Sequence, residues 1–216
     1  MPIDTSSRGV LLAVEGVDGS GKTVQVAKLV AALRAEPIAR GREVITLREP
    51  GGTPLGESLR RTLLEDAVAV DDALVAALLF TASRRQLFVE RVRPALRRGA
   101  IVVLDRSYLS TLVYQGVVGG VDLDFLADLQ VRALDGVAID AILLLDVDAT
   151  TAASRRDARA GSVDAIEARG AAYLEAVVEG FRKLAAQEAC VRLVDAHGSV
   201  GDVHDRCLDA CRELVL

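Results

Sequence analysis

Residues 16–25 read GVDGSGKTVQ and lie directly behind the apolar run VLLAVE at 10–15. The stretch satisfies G-x-x-x-x-G-K-[ST], its eight places filled by Gly16, Val17, Asp18, Gly19, Ser20, Gly21, Lys22 and Thr23. Each fixed type has a chemical reason. Glycines let backbone N–H groups wrap a phosphate, the following helix points its positive end at the anion, a lysine neutralises the β and γ oxygens, and a threonine hydroxyl ligates Mg2+. The same letters can also form a plain glycine-rich turn, so the flanks decide. Residues 10–14 have the unbroken apolar pattern of a buried strand, and Val26, Leu29, Val30 and Leu33 recur at helical spacing behind the loop. Strand, loop and helix is the order that a triphosphate-binding loop requires.

Outward from the loop, apolar runs at 43–47, 100–104, 141–145 and 191–194 read as further strands. Helical patterns fall near 24–35, 55–64, 72–97, 108–114, 123–134, 150–159, 164–187 and 200–214. Strands alternating with helices over short connections predict an α/β fold: one domain over residues 1–216, built on a five-stranded parallel sheet with helices on both faces. In such a sheet ligands collect beyond the carboxyl ends of the strands. Those positions are polar: Glu15 through Thr23, Arg48 with Glu49, Asp105 with Arg106 and Ser107, Asp146 with Asp148, and Asp195.

Composition narrows the ligand. The 216 residues are 51% hydrophobic, ample for a core, and only 3% aromatic with no Trp, which argues against an aromatic platform for nucleic acid. A net charge of −5 offers no general attraction to a polyanion, so long nucleic acid is not an expected partner. No apolar run approaches the roughly 18 residues of a membrane span, because Asp140 and Asp146 interrupt the most hydrophobic region. The start MPIDTSSRG lacks an apolar signal segment, leading us to expect a cytoplasmic protein without membrane attachment. Cys190, Cys207 and Cys211 are too few for a disulfide scaffold. With His197 and His204 they could be read as a zinc set, but the spacing fits no familiar ligand pattern, and core packing of small apolar Cys is the stronger reading.

Asp105 follows the apolar AIVVL, where a phosphate-loop enzyme keeps the carboxylate that holds Mg2+ directly or through water, and Glu15 at the end of the first strand is a second metal candidate. Either could instead cap a helix. Arg48, Arg60 and Arg106 come from separate segments of the same rim, and bidentate guanidinium groups suit a second phosphate. A simple NTPase needs no such cluster, so the acceptor is expected to be phosphorylated itself. The competing reading pairs these arginines with Glu49 or Glu57 at the surface.

GVDGSGKTVQ, REPGGTPLGESLR, FTASRRQL and DRSYLSTLVYQG, in this order and spacing, resemble the motif series of thymidylate kinases, and the likeness runs from about residue 11 to the C-terminal helix. The resemblance implies a P-loop kinase with a short mobile lid near 155–167, ATP as donor, dTMP as acceptor, dTDP as product on the way to dTTP, and Mg2+ as cofactor. It also implies a homodimer, to which residues 73–80 could contribute. On this likeness Arg48 and Arg106 bind the dTMP phosphate with Arg60 beside them, and Asp18 lies near the acceptor 3′-hydroxyl. Phe80 stacks on thymine and Arg84 donates to the base, although LVAALLF alone would make Phe80 a core aromatic. Ser110, Thr111, Tyr114 and Gln115 close on base and sugar, with the tyrosine disfavouring a 2′-hydroxyl by crowding.

Phosphoryl transfer asks mainly for positioning and charge neutralisation. Some members of the family carry a basic residue inside the loop and others supply it from the lid. Residues 17–20 contain none, so Arg155, Arg156 or Arg159 in SRRDARAGSVDAIE are expected to join Lys22 and Arg106 in catalysis, with Gly161 as a hinge. A solvated helix end is the alternative for that charged stretch. The lid usually reads D-R-x-E, and here Ala165 takes the arginine's place.

Overall fold

The computed structural model describes residues 8–35, 41–64, 71–158 and 170–215. Five strands, β1 (Val10–Glu15), β2 (Val44–Arg48), β3 (Ile101–Asp105), β4 (Ala141–Asp146) and β5 (Val191–Asp195), form one sheet in the order β2-β3-β1-β4-β5. Every pairing is parallel. The order changes direction at β1, which sits between β3 and β4, and a ligand crevice belongs beside such a point. Near-continuous apolar strands are what a sheet covered on both faces requires, and β1, β3 and β4 bury all but their terminal residues.

The helices are α1 (Lys22–Ala35), α2 (Pro54–Leu64), α3 (Ala73–Leu87), α4 (Arg93–Arg97), α5 (Tyr108–Thr111), α6 (Leu123–Leu134), α7 (Ala149–Asp157), α8 (Ala171–Ala185) and α9 (Val200–Val215). In α1 the residues read from the sequence as its apolar stripe, Val26, Leu29, Val30 and Leu33, are all buried. Leu29 and Leu33 are fully sealed, and truncating such a leucine to Ala typically costs about 2–5 kcal/mol. Asp72, Asp122 and Asp148 start α3, α6 and α7 by accepting from the backbone N–H three residues on, so three helix starts are written in short polar side chains.

Two expected helices carry an irregularity. The pattern at 72–97 is helical throughout, but a π-helical segment, Phe88–Val92, joins α3 to α4. The helix expected at 108–114 continues from α5 through a second π-helical segment, Leu112–Val117. Wide turns of this kind concentrate at functional sites, and this one carries Tyr114 and Gln115. Of the helix expected at 164–187, α8 accounts for the part from Ala171 to Ala185. Arg159, Gly161, the DAIE stretch with Ala165, and the lid positions 159–167 lie outside the described residues.

Sheet register sets the functional rim. Asp105 is level with Val14 on one side and Arg48 on the other, while Asp146 is level with Asp195. The residues past these points therefore emerge along one edge. Among the described residues no helix is long and apolar enough to cross a membrane.

Candidate active site

Two cavities open on that rim and share a wall. The first, about 680 Å³, lies over the β3–α5 connection and takes Phe80, Arg84, Thr111, Tyr114 and Gln115 as its lining, with Pro50 and Leu64. The second, about 1050 Å³, surrounds the loop and is lined by Gly19, Gly21, Lys22, Thr23, Arg48, Asp105 and Arg155. Asp18, Glu49, Arg60 and Arg106 belong to both. A donor bound in one and an acceptor in the other would meet at these four side chains.

The loop is held in shape from inside. The Lys22 ammonium donates to the carbonyls of Gly16 at 2.9 Å and Val17 at 3.0 Å and stands 3.5 Å from an Asp18 oxygen. Burial, reinforced by Arg106, pushes this lysine down to about 8, with Asp18 opposing. A bound phosphate would supply the negative charge that favours its cationic form. Gly19 has φ 92°, and a Cβ there would lie 2.1 Å from the Ala152 carbonyl of α7. Only glycine permits that contact between loop and helix. The Ser20 hydroxyl is buried in the same loop without a hydrogen-bond partner.

Thr23 and Asp105 come together across 82 residues: the threonine hydroxyl donates to Asp105 Oδ2 at 3.0 Å. A hydroxyl and a carboxylate beside a phosphate loop are hard oxygen donors, the set that Mg2+ accepts while keeping several waters. Glu15, the second metal candidate, has other partners. It is fully buried, and both of its oxygens accept hydrogen bonds from Ser107 and Ser110.

Arg106 lies at φ 72°, a left-handed conformation that costs a non-glycine residue roughly 1–3 kcal/mol and persists only where its surroundings impose it. Its guanidinium pairs with Asp18, donates to Ser110 Oγ at 3.0 Å and to the Gly16 carbonyl at 3.3 Å, and lies 5.7 Å from the centre of the Tyr114 ring. Burial alone would raise the Asp18 carboxyl, but Arg106 and Lys22 overcome it and hold the group well below the usual carboxylate range. The Tyr114 hydroxyl also reaches Asp18, at 3.4 Å, and its ring meets Phe181 edge-on at 6.0 Å.

Arg48 and Arg60 reach the rim as expected. Arg48 Nη2 pairs with Glu57 at 2.9 Å, the surface ion pair weighed against a phosphate role, and Arg60 donates to the Pro50 carbonyl at 3.1 Å. Phe80 is half-buried at the cavity rather than sealed in the core. Thr111 and Gln115 are buried in the cavity wall and Ser110 is half-buried there. Arg155 donates to the Ala196 carbonyl at 2.9 Å beside the loop, whereas Arg156 lies in a smaller recess with Asp18, Tyr114 and Tyr173.

Gln130 lies outside the sequence motifs. It is 2% exposed, accepts from Arg84 at 2.5 Å and donates to Thr81 Oγ1 at 3.0 Å. Its signal was present, since it is a polar residue on the face of α6 that also buries Leu126 and Ala133. Glu49, whose sequence position suggests a pairing partner for surface arginines, is buried instead. It is 5% exposed, burial pushes its carboxyl up to about 7 against the attraction of Arg84, and Oε1 has no hydrogen-bond partner. By contrast, Cys207 and Cys211 are core residues of α9, and among the described residues no group of three or more His, Cys, Asp or Glu is placed to hold a metal ion.

Comparison with known proteins identifies the family. The family model described as thymidylate kinase matches residues 14–207. The chain belongs to the thymidylate kinase family. It is 38% identical over 209 residues to a protein named thymidylate kinase from Rhizorhabdus wittichii, covering 96% of this chain and 99% of that one. The Synechococcus sp. protein of the same name is 40% identical over 208 residues, covering 95% and 97% of the two chains. That from Deinococcus radiodurans is 40% identical over 182 residues, covering 84% and 85%. The matched span takes in the Lys22 loop, the REPGG turn, Arg106 and α8.

Proposed function

We propose that this chain transfers the γ-phosphoryl group of ATP to dTMP, giving dTDP and ADP. The observation that carries the reading is the wall common to both cavities: Asp18, Glu49, Arg60 and Arg106 lie between the phosphate loop and a pocket lined by the aromatic rings of Phe80 and Tyr114 and by a buried arginine, Arg84. ATP phosphates occupy the loop of residues 16–23, where Lys22 meets the β and γ oxygens. Thr23 and Asp105 hold Mg2+ directly or through water, and the ion neutralises developing phosphate charge.

Arg106, with Arg48 and Arg60, receives the dTMP phosphate, whose oxygen attacks in line. Phe80 covers one face of thymine while Arg84 donates to the base. Tyr114, held against Asp18 and Phe181, crowds the sugar where a ribonucleotide would carry its 2′-hydroxyl. Ser110, Thr111 and Gln115 complete the wall. Arg155, which lines the donor cavity, is the lid-side cation that reaches the transferring group in this reading. The protein acts in the cytoplasm as a homodimer, and the exposed Leu74, Val75 and Leu78 of α3 contribute to the interface. Sedimentation of the wild type against Leu78→Glu checks that contact.

The deciding experiment measures ADP release with ATP and Mg2+ across dTMP, dUMP, dCMP, UMP, AMP, GMP and thymidine. Strongest turnover with dTMP and none with thymidine supports the assignment. ATP binding without turnover of any acceptor would make the chain a nucleotide-binding protein that has lost its chemistry.

A further inference from the structure

Glu15 presents an unusual set of partners for a carboxylate at the end of a central strand. It is 0% exposed, and it accepts four hydrogen bonds from the far side of the site. Oε1 receives the backbone N–H of Ser107 at 2.7 Å, the Ser107 hydroxyl at 3.0 Å and the backbone N–H of Ser110 at 3.0 Å. Oε2 receives the Ser110 hydroxyl at 2.7 Å. Ser107 occupies the capping position of α5 yet makes no side-chain cap bond of its own. The cap is supplied by Glu15 from 92 residues away.

The consequence falls on Arg106, the residue immediately before this cap, whose left-handed backbone needs an outside restraint. A serine hydroxyl has one proton. Ser110 commits its proton to Glu15 Oε2 and so turns a lone pair toward Arg106 Nη1, which donates to it at 3.0 Å. The backbone turn and the guanidinium direction thus depend on the same carboxylate.

We propose that Glu15 is a positioning residue: it caps the Ser107–Ser110 turn and fixes the polarity of the Ser110 hydroxyl, and so aims Arg106 at the acceptor phosphate. This rests on the reading of Arg106 as a dTMP phosphate ligand. It gives Glu15 a role independent of any metal ion, although Asp105 and Thr23 lie close by on the same rim.

The test is Glu15→Gln, which keeps the shape but presents an amide donor to a set of donors. The apparent affinity for dTMP should fall by about tenfold or more, as for other residues that orient a ligand-binding group. ATP affinity and the Mg2+ concentration for half-maximal rate should stay as in the wild type. Ser110→Ala should weaken dTMP binding in the same direction, and the double variant should be no weaker than Glu15→Gln alone, because both changes cut one relay. A chiefly raised Mg2+ requirement, additive effects, or a folded Glu15→Gln protein with unchanged dTMP affinity each overturns the proposal. If Glu15→Gln does not fold, Ser110→Ala carries the test: unchanged dTMP affinity there also overturns it. Arg106→Ala separates the two readings. Unchanged dTMP affinity in that variant removes the acceptor role of Arg106, whereas a loss there without a loss in Glu15→Gln removes only the role of Glu15.

Discussion

Arg84 and Glu49 form an ion pair sealed in the wall of the acceptor cavity, with Nε donating to Oε2 at 2.6 Å and side chains 2% and 4% exposed. The other nitrogens of Arg84 donate to Thr111 Oγ1, Gln130 Oε1 and the Ser107 carbonyl. A guanidinium has five N–H groups. Four are taken, which leaves one on Nη2. Arg84 is therefore a rigid part of the core, and under the proposed function that one N–H is the contact it has to offer a base.

Arg84→Met removes the cation that opposes burial, so Glu49, already pushed up to about 7, takes up a proton at neutral pH. The variant should still lower folding stability by about 1–3 kcal/mol, because buried acceptors on Thr111, Gln130 and Ser107 lose their donor, seen as an earlier denaturant midpoint with an unchanged slope. The loss should grow above about pH 7, where an unpaired Glu49 must ionise; an unaltered midpoint across that range would show that water replaces the guanidinium.

Arg106→Ala should weaken dTMP binding by roughly 2 kcal/mol or more, as expected when a charged, bidentate partner is lost. Calorimetry with dTMP reads this directly, and Arg106→Lys should restore little because an ammonium does not reproduce the fork. Full dTMP affinity in the alanine variant places the acceptor phosphate elsewhere.

Asp105→Asn should raise the Mg2+ requirement by about 10–100-fold while ATP still binds through the loop. A titration of ADP release against Mg2+ checks this. An unchanged half-saturating concentration would limit Asp105 to holding the Thr23 hydroxyl.

On the lid side, Arg155→Ala should depress kcat while dTMP affinity changes little, because an interaction made mainly in the transition state contributes little to ground-state binding. Full kcat in the Ala variants of Arg155, Arg156 and Arg159 alike would defeat the idea that the lid supplies the missing cation.

His197 gives a pH signature. Its ring bridges Asp148 at 2.9 Å and Asp195 at 2.6 Å, and those hydrogen bonds, Asp148 first, raise it above its ordinary 6.5. The folded state thus favours the proton. The stabilisation is fully present below about pH 6.5 and is lost as the pH climbs through the higher folded-state value. Thermal melts of wild type and His197→Ala should differ more at about pH 5.5 than at about pH 8.5. Equal gaps at both would mean that the bridge does not depend on the ring's charge.

Much of this protein is legible in local sequence. Short, mostly apolar runs marked the five strands: β1, β3 and β4 are apolar because a buried parallel strand has nowhere to place a polar side chain, whereas β2 and β5, at the sheet edges, expose Thr46 and Arg192. The loop was legible because the glycines, Lys22 and Thr23 act within one turn of chain. Phe80 was ambiguous, since a stacking ring and a core ring look alike on an apolar helix, and only the cavity beside it separates them. The π-helical segments gave no sequence signal, because an added residue per turn changes the hydrogen-bond ladder without changing the apolar pattern enough to notice.

The sequence by itself determined the strand and helix types, the phosphate loop and the residue types able to meet two phosphates, all of which depend on neighbours within a few positions. Tertiary structure alone decided that Glu15 caps a turn 92 residues away and that Gln130 steadies Arg84 across 46. The physical reason is the strand order: placing β1 between β3 and β4 brings segments distant in the chain to one rim, and hydrogen bonds at 3 Å are set by that placement rather than by any periodicity along the chain.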